Sequence, residues 1–234
     1  MRQQFRKLAL LLLGVPVSCC AGCAIDSAGV LREIQAIQGQ QRSGDLFKSL
    51  TSIARYSELA ERVDRHSEDV VTEAYMQAGT EVQRASVVRI AQQNCKGDGR
   101  YVPLLCFVLQ FDGRPENRLR AARGLGSLKN LNPAISKSTI VLLLGEALEA
   151  ENAPHRSEQF AFCLEEFLRN VCAYPIPNAE RVASEMRLDE LGKATTQVVR
   201  SDPTVVRAWW TESGRCMARR RAFDKPPASA NIVE

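Results

Sequence analysis

The chain is 234 residues long, 45% apolar and only 6% aromatic, with 31 Lys+Arg against 27 Asp+Glu. Length and apolar content suffice for one domain with a buried core and exclude a disordered or collagen-like chain. Arg2, Arg6 and Lys7 precede any acidic residue, so the chain beyond residue 22 carries 28 basic against 27 acidic groups and is close to neutral. A nucleic-acid-binding function is not expected from that balance, because such domains present a strongly basic face.

Residues 1–24, MRQQFRKLALLLLGVPVSCCAGCA, begin with those three cations and continue as an apolar run from Leu8 to Val17. Small residues and cysteines follow. A charged start, a short apolar core and a small-residue exit describe a secretory signal, and the core falls short of the roughly 20 apolar residues a membrane-spanning helix needs. Gly14 and Pro16 also break it as a helix of the fold. Ala21-Gly22-Cys23 resembles the end of a bacterial lipobox, in which the cysteine is acylated and becomes the new N-terminus. Cys20 departs from that pattern by standing where an aliphatic residue is usual. Cys19 is an alternative acceptor, and ordinary cleavage near Ala21 or Ala24 is the other reading. The resemblance implies a signal peptide over 1–22, a lipid-anchored segment over 23–45 and a periplasmic location. Ala24 after the acceptor matches the pattern of outer-membrane sorting.

From residue 28 to 222 apolar residues recur with helical period and strand signals are nearly absent. Val30, Leu31, Ile34 and Ile37 open the series, in a stretch that partly serves as a tether. Helices are expected over 46–63 and 70–78. Thr80-x-x-Gln83 has the form of a capping box, opening a helix with Val82, Ala85, Val88 and Ala91 on one face. Tyr101–Phe111 follows as a very apolar helix. Pro115 then starts another that reaches Leu128. Ile135–Ala150, Pro154–Val171, Asn178–Arg200 and Pro203–Phe223 complete the set, and 224–234 reads as a disordered tail.

The pieces repeat. A shift of 37 residues lays Val82, Ala85, Val88 and Ala91 on Leu119, Ala122, Leu125 and Leu128. The same shift lays Leu104 to Phe107 on Val141 to Leu144. A shift of 39 carries Ala122, Leu125 and Leu128 to Ala161, Leu164 and Phe167. A two-helix unit with a period near 40 is the signature of an α-solenoid. Arg118–Leu128, RLRAARGLGSL, resembles the first helix of a HEAT repeat. The fold expected is therefore all-α, a HEAT-like α-solenoid over 46–223, with an irregular helical bundle as the alternative. Ala121, Ala122, Gly124 and Gly126 would let neighbouring helices approach closely.

No catalytic arrangement emerges. Gly124-Leu125-Gly126 lacks a third glycine and a preceding strand, and Gly192-Lys193-Ala194-Thr195 lacks the upstream glycine and the hydroxyl of a P-loop. His155-x-x-Glu158 occurs once, at a helix start. His66 and His155 are far from any cysteine pair, so neither a metal nor another cofactor is expected. Glu165-Glu166, Asp189-Glu190 and Glu146 with Glu149 suit solvated helix faces. Five cysteines remain beyond Cys23, an odd number. Cys106 and Cys163 read as small buried hydrophobes, while Cys95 and Cys172, at helix ends, are the better disulfide candidates, with Cys216 as a further one.

Two features could face a partner. Val206, Trp209, Trp210, Ser213 and Met217 follow helical spacing, but neighbouring positions point about 100° apart, so both indoles are hard to bury together. They read as core packing at the end of the array or as a binding hot spot. Arg219, Arg220 and Arg221, after Arg215, either complement a helix terminus or contact an anionic surface. The function expected is a non-enzymatic lipoprotein that binds an envelope protein. The alternatives are an exported enzyme or ligand binder using a groove of the array, and an anionic-surface binder acting through Arg215–Arg221.

Overall fold

In the computed structural model the described residues are 25–41, 46–64, 68–95, 99–177, 181–188 and 194–224. Cys19, Cys23, the signal segment, His66, Asp189-Glu190 and the tail beyond 224 lie outside them. Ten α-helices lie among these residues: α1 (Ser27–Gln41), α2 (Leu46–Asp64), α3 (Glu68–Gln77), α4 (Glu81–Asn94), α5 (Val102–Phe111), α6 (Pro115–Gly126), α7 (Lys137–Ala150), α8 (Pro154–Asn170), α9 (Pro203–Trp209) and α10 (Arg215–Arg219). A π-turn, Trp210–Gly214, fuses α9 to α10, and a single 3₁₀ turn, Ala222–Asp224, ends the described chain.

The fold is an all-helical array. Helices α2, α4, α6 and α8 stack in one layer; α1, α3, α5, α7 and the α9–α10 run form the other. Most of the helices thus pack on the next, on the next but one, or on both, as in an α-solenoid, because one apolar stripe cannot be covered by a single partner. Helix α1 belongs to the array: Val30, Ile34 and Ile37 are fully buried and it packs on α2 and α3. The capping box forms as expected, Thr80 Oγ1 accepting from Gln83 N–H and Gln83 Oε1 from Thr80 N–H. On α4, Val88 and Ala91 of the expected face are buried, but Val82 is exposed and Ala85 half-buried while Val87 and Ile90 are buried, so the face is rotated in part.

Small residues set the spacing between helices. A methyl group on Gly126 would stand 2.8 Å from the Cys163 carbonyl oxygen in α8, and one on Gly124 would stand 2.7 Å from Leu105 in α5. Both glycines therefore mark places where helices pass too closely for a side chain. Ala121 and Ala122 are fully buried beside them.

One expected helix is absent. Over 178–200 the described residues form a two-stranded antiparallel hairpin, β1 (Arg181–Leu188) with β2 (Ala194–Ser201), irregular in register at Ala183/Glu185 and Arg187/Leu188. The β-branched cluster Thr195, Thr196, Val198 and Val199 favours strand, and Gly192 interrupts the helical pattern.

No disulfide joins any of the five cysteines in the described residues, so the pairing expected of Cys95 and Cys172 is not made. Cys95 is buried at the end of α4, Cys172 is half-buried and Cys216 is exposed. Burial pushes the thiols of Cys106 and Cys172 up from 9.0 to about 12, with Asp224 adding to the second and Lys137 opposing. Unfolded thiols lose their protons above pH 9 while these two keep theirs, so stability falls as pH rises through that window. The slope is about 1.4 kcal/mol per pH unit for each thiol. Urea midpoints measured at pH 9 and pH 10 are expected to drop steeply for the parent chain and less for a C106A/C172A variant.

Candidate functional site

Helix α5, VPLLCFVLQF, is apolar on nearly every side, and the array covers only part of it. Leu104, Leu105, Val108 and Leu109 turn inward. Phe107 and Phe111, one helical turn apart, are left on the outer face at 40% and 63% exposure. Met76, from the end of α3, is 66% exposed. Among the described residues only Val82 joins these three as an exposed large hydrophobe, so the apolar surface is concentrated at one place. The Phe107 and Phe111 rings stand 5.1 Å apart, and Tyr75 meets Phe107 edge-on at 6.2 Å. Together with Glu81, Arg84, Asp112, Gly113, Arg114 and Asn117 they line a groove of about 500 Å³.

The rim is set by the α5–α6 turn. Asp112 Oδ1 accepts the Arg114 N–H at 2.8 Å, the local bond an aspartate makes in a tight turn. Its Oδ2 accepts from Tyr75 Oη at 2.7 Å and Asn117 Nδ2 at 3.1 Å. Glu81, in the first turn of α4, is held in an ion pair by Arg114. Burial, then the bond to Asp112, keeps the Tyr75 phenol well above its ordinary pKa, so it is a fixed hydrogen-bond donor at neutral pH. Arg84 is exposed at the same rim, and among the described residues no carboxylate stands within ion-pairing distance of it. A surface of rings, thioether and one open guanidinium has the chemistry to hold an apolar chain and to orient it by charge.

The residues singled out from sequence lie elsewhere. Trp209 and Trp210 are 7% and 1% exposed and sit in the core at the array's end. Both residues keep ordinary α-helical dihedrals, and both indoles are buried because each is covered by a different partner. Trp210 lies flat on Gly145 of α7, and Trp209 packs on Gly214 and at 5.8 Å from Tyr174. Arg215 lies over the Trp210 ring and pairs with Glu149. Arg219, Arg220 and Arg221 are all exposed, the last with φ of 55° where the helix ends. His155 and Glu158 are exposed on α8, and His155 Nε2 meets Gln159 Nε2 at 2.7 Å rather than Glu158. Glu165 is buried and within 3.9 Å of Arg169. Among the described residues no three His, Cys, Asp or Glu side chains come together.

The groove was not anticipated from sequence. Its signal was present in Phe107 and Phe111 at i and i+4, on a helix with more apolar faces than a two-layer array can cover.

No family model, curated protein or solved structure matches the chain.

Proposed function

We propose that the chain is an exported, non-enzymatic lipoprotein, acylated at Cys23 or alternatively Cys19, whose helical array binds a protein of the bacterial envelope through the groove between α3 and α5. The observation that carries the binding role is the clustering of Met76, Phe107 and Phe111 on a rim whose carboxylates are already bonded. An apolar patch with a polar rim is the usual form of a docking surface. The signal-like layout of residues 1–24 supports the export and the anchor. Arrays of this architecture suit adaptor work because neighbouring helices build one long ridged surface.

Two measurements test this reading. Intact mass and membrane partition of the native protein are expected to give a chain starting at Cys23 with added acyl mass, lost in Cys23→Ser. An unmodified soluble chain removes the anchor. A photo-crosslinking residue at position 111 is expected to trap one discrete partner in the envelope, while the same residue at Glu158 traps none. A double F107S/F111S change is expected to abolish the adduct made from a neighbouring rim position, Gly113.

The anionic-surface reading rests on a separate observation, the exposure of Arg219, Arg220 and Arg221 side by side at the end of α10. Each basic residue near an anionic bilayer contributes about 1 kcal/mol. Vesicles rich in anionic lipid are therefore expected to bind the domain in a salt-sensitive way, and R219Q/R220Q/R221Q to weaken that binding about 100-fold. Unchanged binding by the triple variant removes the second reading.

A further inference from the structure

We infer that the occupant of the α3–α5 groove is a short acidic segment of another protein, carrying two apolar anchors and an Asp or Glu beside them. The inference rests on the docking role proposed above and names the chemistry of its partner.

The charge census of the rim decides the sign. Four ionisable side chains other than Tyr75 line the groove: Glu81, Arg84, Asp112 and Arg114. Both acids are committed. Asp112 takes three hydrogen bonds, from Tyr75, Asn117 and the Arg114 N–H, and Glu81 is neutralised by the Arg114 side chain. That leaves Arg84 exposed, with no carboxylate at ion-pairing distance among the described residues. Arg84 lines the same groove as Tyr75, Phe107 and Phe111, so its charge borders the aromatic floor. A cationic segment would meet this cation, and the one rim carboxylate not in an ion pair, Asp112, already has both oxygens engaged in hydrogen bonds. A carboxylate would complete the arrangement with a charge-assisted, potentially bidentate bond.

The apolar floor sets the spacing. Phe107 and Phe111 are one turn apart on α5, and Met76 continues the strip onto α3. An amphipathic helix with anchors at i and i+3 or i+4 matches a strip of that kind, and methionine adapts to whichever side chain arrives.

The test uses the mature chain and a library of displayed random peptides of about 12 residues, long enough for two helical turns of anchors. Enriched peptides are expected to share two large apolar residues three or four apart, with Asp or Glu alongside. A synthetic copy of the leading peptide is expected to lose at least about tenfold in affinity for F107S/F111S and for R84E. Replacing its acid by Lys is expected to weaken binding to the parent chain and restore it to R84E. That exchange of preference cannot come from a folding defect, since R84E then binds its own peptide. Enriched peptides that are basic or uncharged, or that bind R84E as well as the parent, overturn the inference. So does a concentration-dependent dimer lost in F107S/F111S, which assigns the groove to a second copy of the chain. If the position-111 crosslink in cells persists while no peptide is selected, the docking role stands and its occupant is a folded surface instead of a short segment.

Discussion

Gly145→Val is expected to lower the unfolding free energy by about 3 kcal/mol, at the upper end of the range for overpacking a core. The Trp210 indole lies on the α-carbon of Gly145, where even a methyl group would overlap several ring atoms. The ring cannot swing aside cheaply, because Trp210 is 1% exposed and Arg215 lies over its other side. Trp210→Ala alone should cost about 3–5 kcal/mol through lost burial and the cavity it leaves. Combining the two should cost less than the sum by about 1–3 kcal/mol, since each change removes the reason the other is harmful. Urea midpoints by far-UV circular dichroism close the cycle. Strict additivity would mean that ring and glycine do not touch.

The second large effect concerns how the last helices are fastened. The α9–α10 run reaches both poles of α7. At the C-terminal pole, Arg207 Nη2 donates to the carbonyls of Leu148 at 3.0 Å and Glu151 at 3.3 Å, and to Ser157 Oγ. At the N-terminal pole, the Asp224 carboxylate accepts from the Ser138 N–H at 3.0 Å and from the Ser136 hydroxyl, while Phe223 N–H donates to Ser138 Oγ at 3.2 Å. A cation at the C-terminus and an anion at the N-terminus are the signs the helix dipole favours. Arg207→Ala is expected to cost about 2–3 kcal/mol, because it strands carbonyls that the packing shields from water. Asp224→Ala, a lost N-terminal bond at a more exposed site, should cost about 1 kcal/mol.

The two variants separate by pH. Burial alone would raise the Asp224 pKa, but the bonds from Ser138, Ser136 and Lys137, with Arg221 nearby, outweigh it and hold the carboxylate below its usual range. A lowered folded pKa stabilises above the unfolded value and is lost as pH falls through the folded one. The gap between parent and D224A should therefore close in acid, whereas the gap for R207A, whose lost partners are carbonyls and a hydroxyl, stays open. Parallel acid titrations of both variants, followed by urea unfolding, read this directly.

How far the sequence reaches depends on whether neighbours in space are neighbours in the pattern. The helix pairs, the capping box at Thr80 and the close approaches at Gly124 and Gly126 were legible, because each follows from spacing within one or two helices. The hairpin at 181–201 was not, since a helical period can be laid over a β-branched run when the run is read one segment at a time. The burial of both tryptophans was illegible for another reason. Each indole is covered by a different glycine, Gly214 for Trp209 and Gly145 for Trp210, and the second belongs to a helix distant in sequence. The groove depended on which face of an all-apolar helix the neighbours leave bare, which is a property of the assembled array. Proximity of Arg84, Tyr75 and Asp112 likewise joins three separate helices or turns.

The stacking of each helix on its nearest neighbours also shapes how the molecule comes apart. Because the main contacts among the described residues join helices near one another in the chain, opening need not be all-or-none, and amide exchange should form a gradient along the chain. The slowest amides belong in α6 and α7, which have neighbours on every side and the α9–α10 run latched over the second. Helices α1 to α3, toward the N-terminal end of the stack, should exchange faster. The groove straddles this divide, with Met76 on the fast side and Phe107 on the slow one. A partner lying across it would stitch the looser end of the stack to the firmer, and its signature would be slowed exchange in α1 and α2, which it never touches.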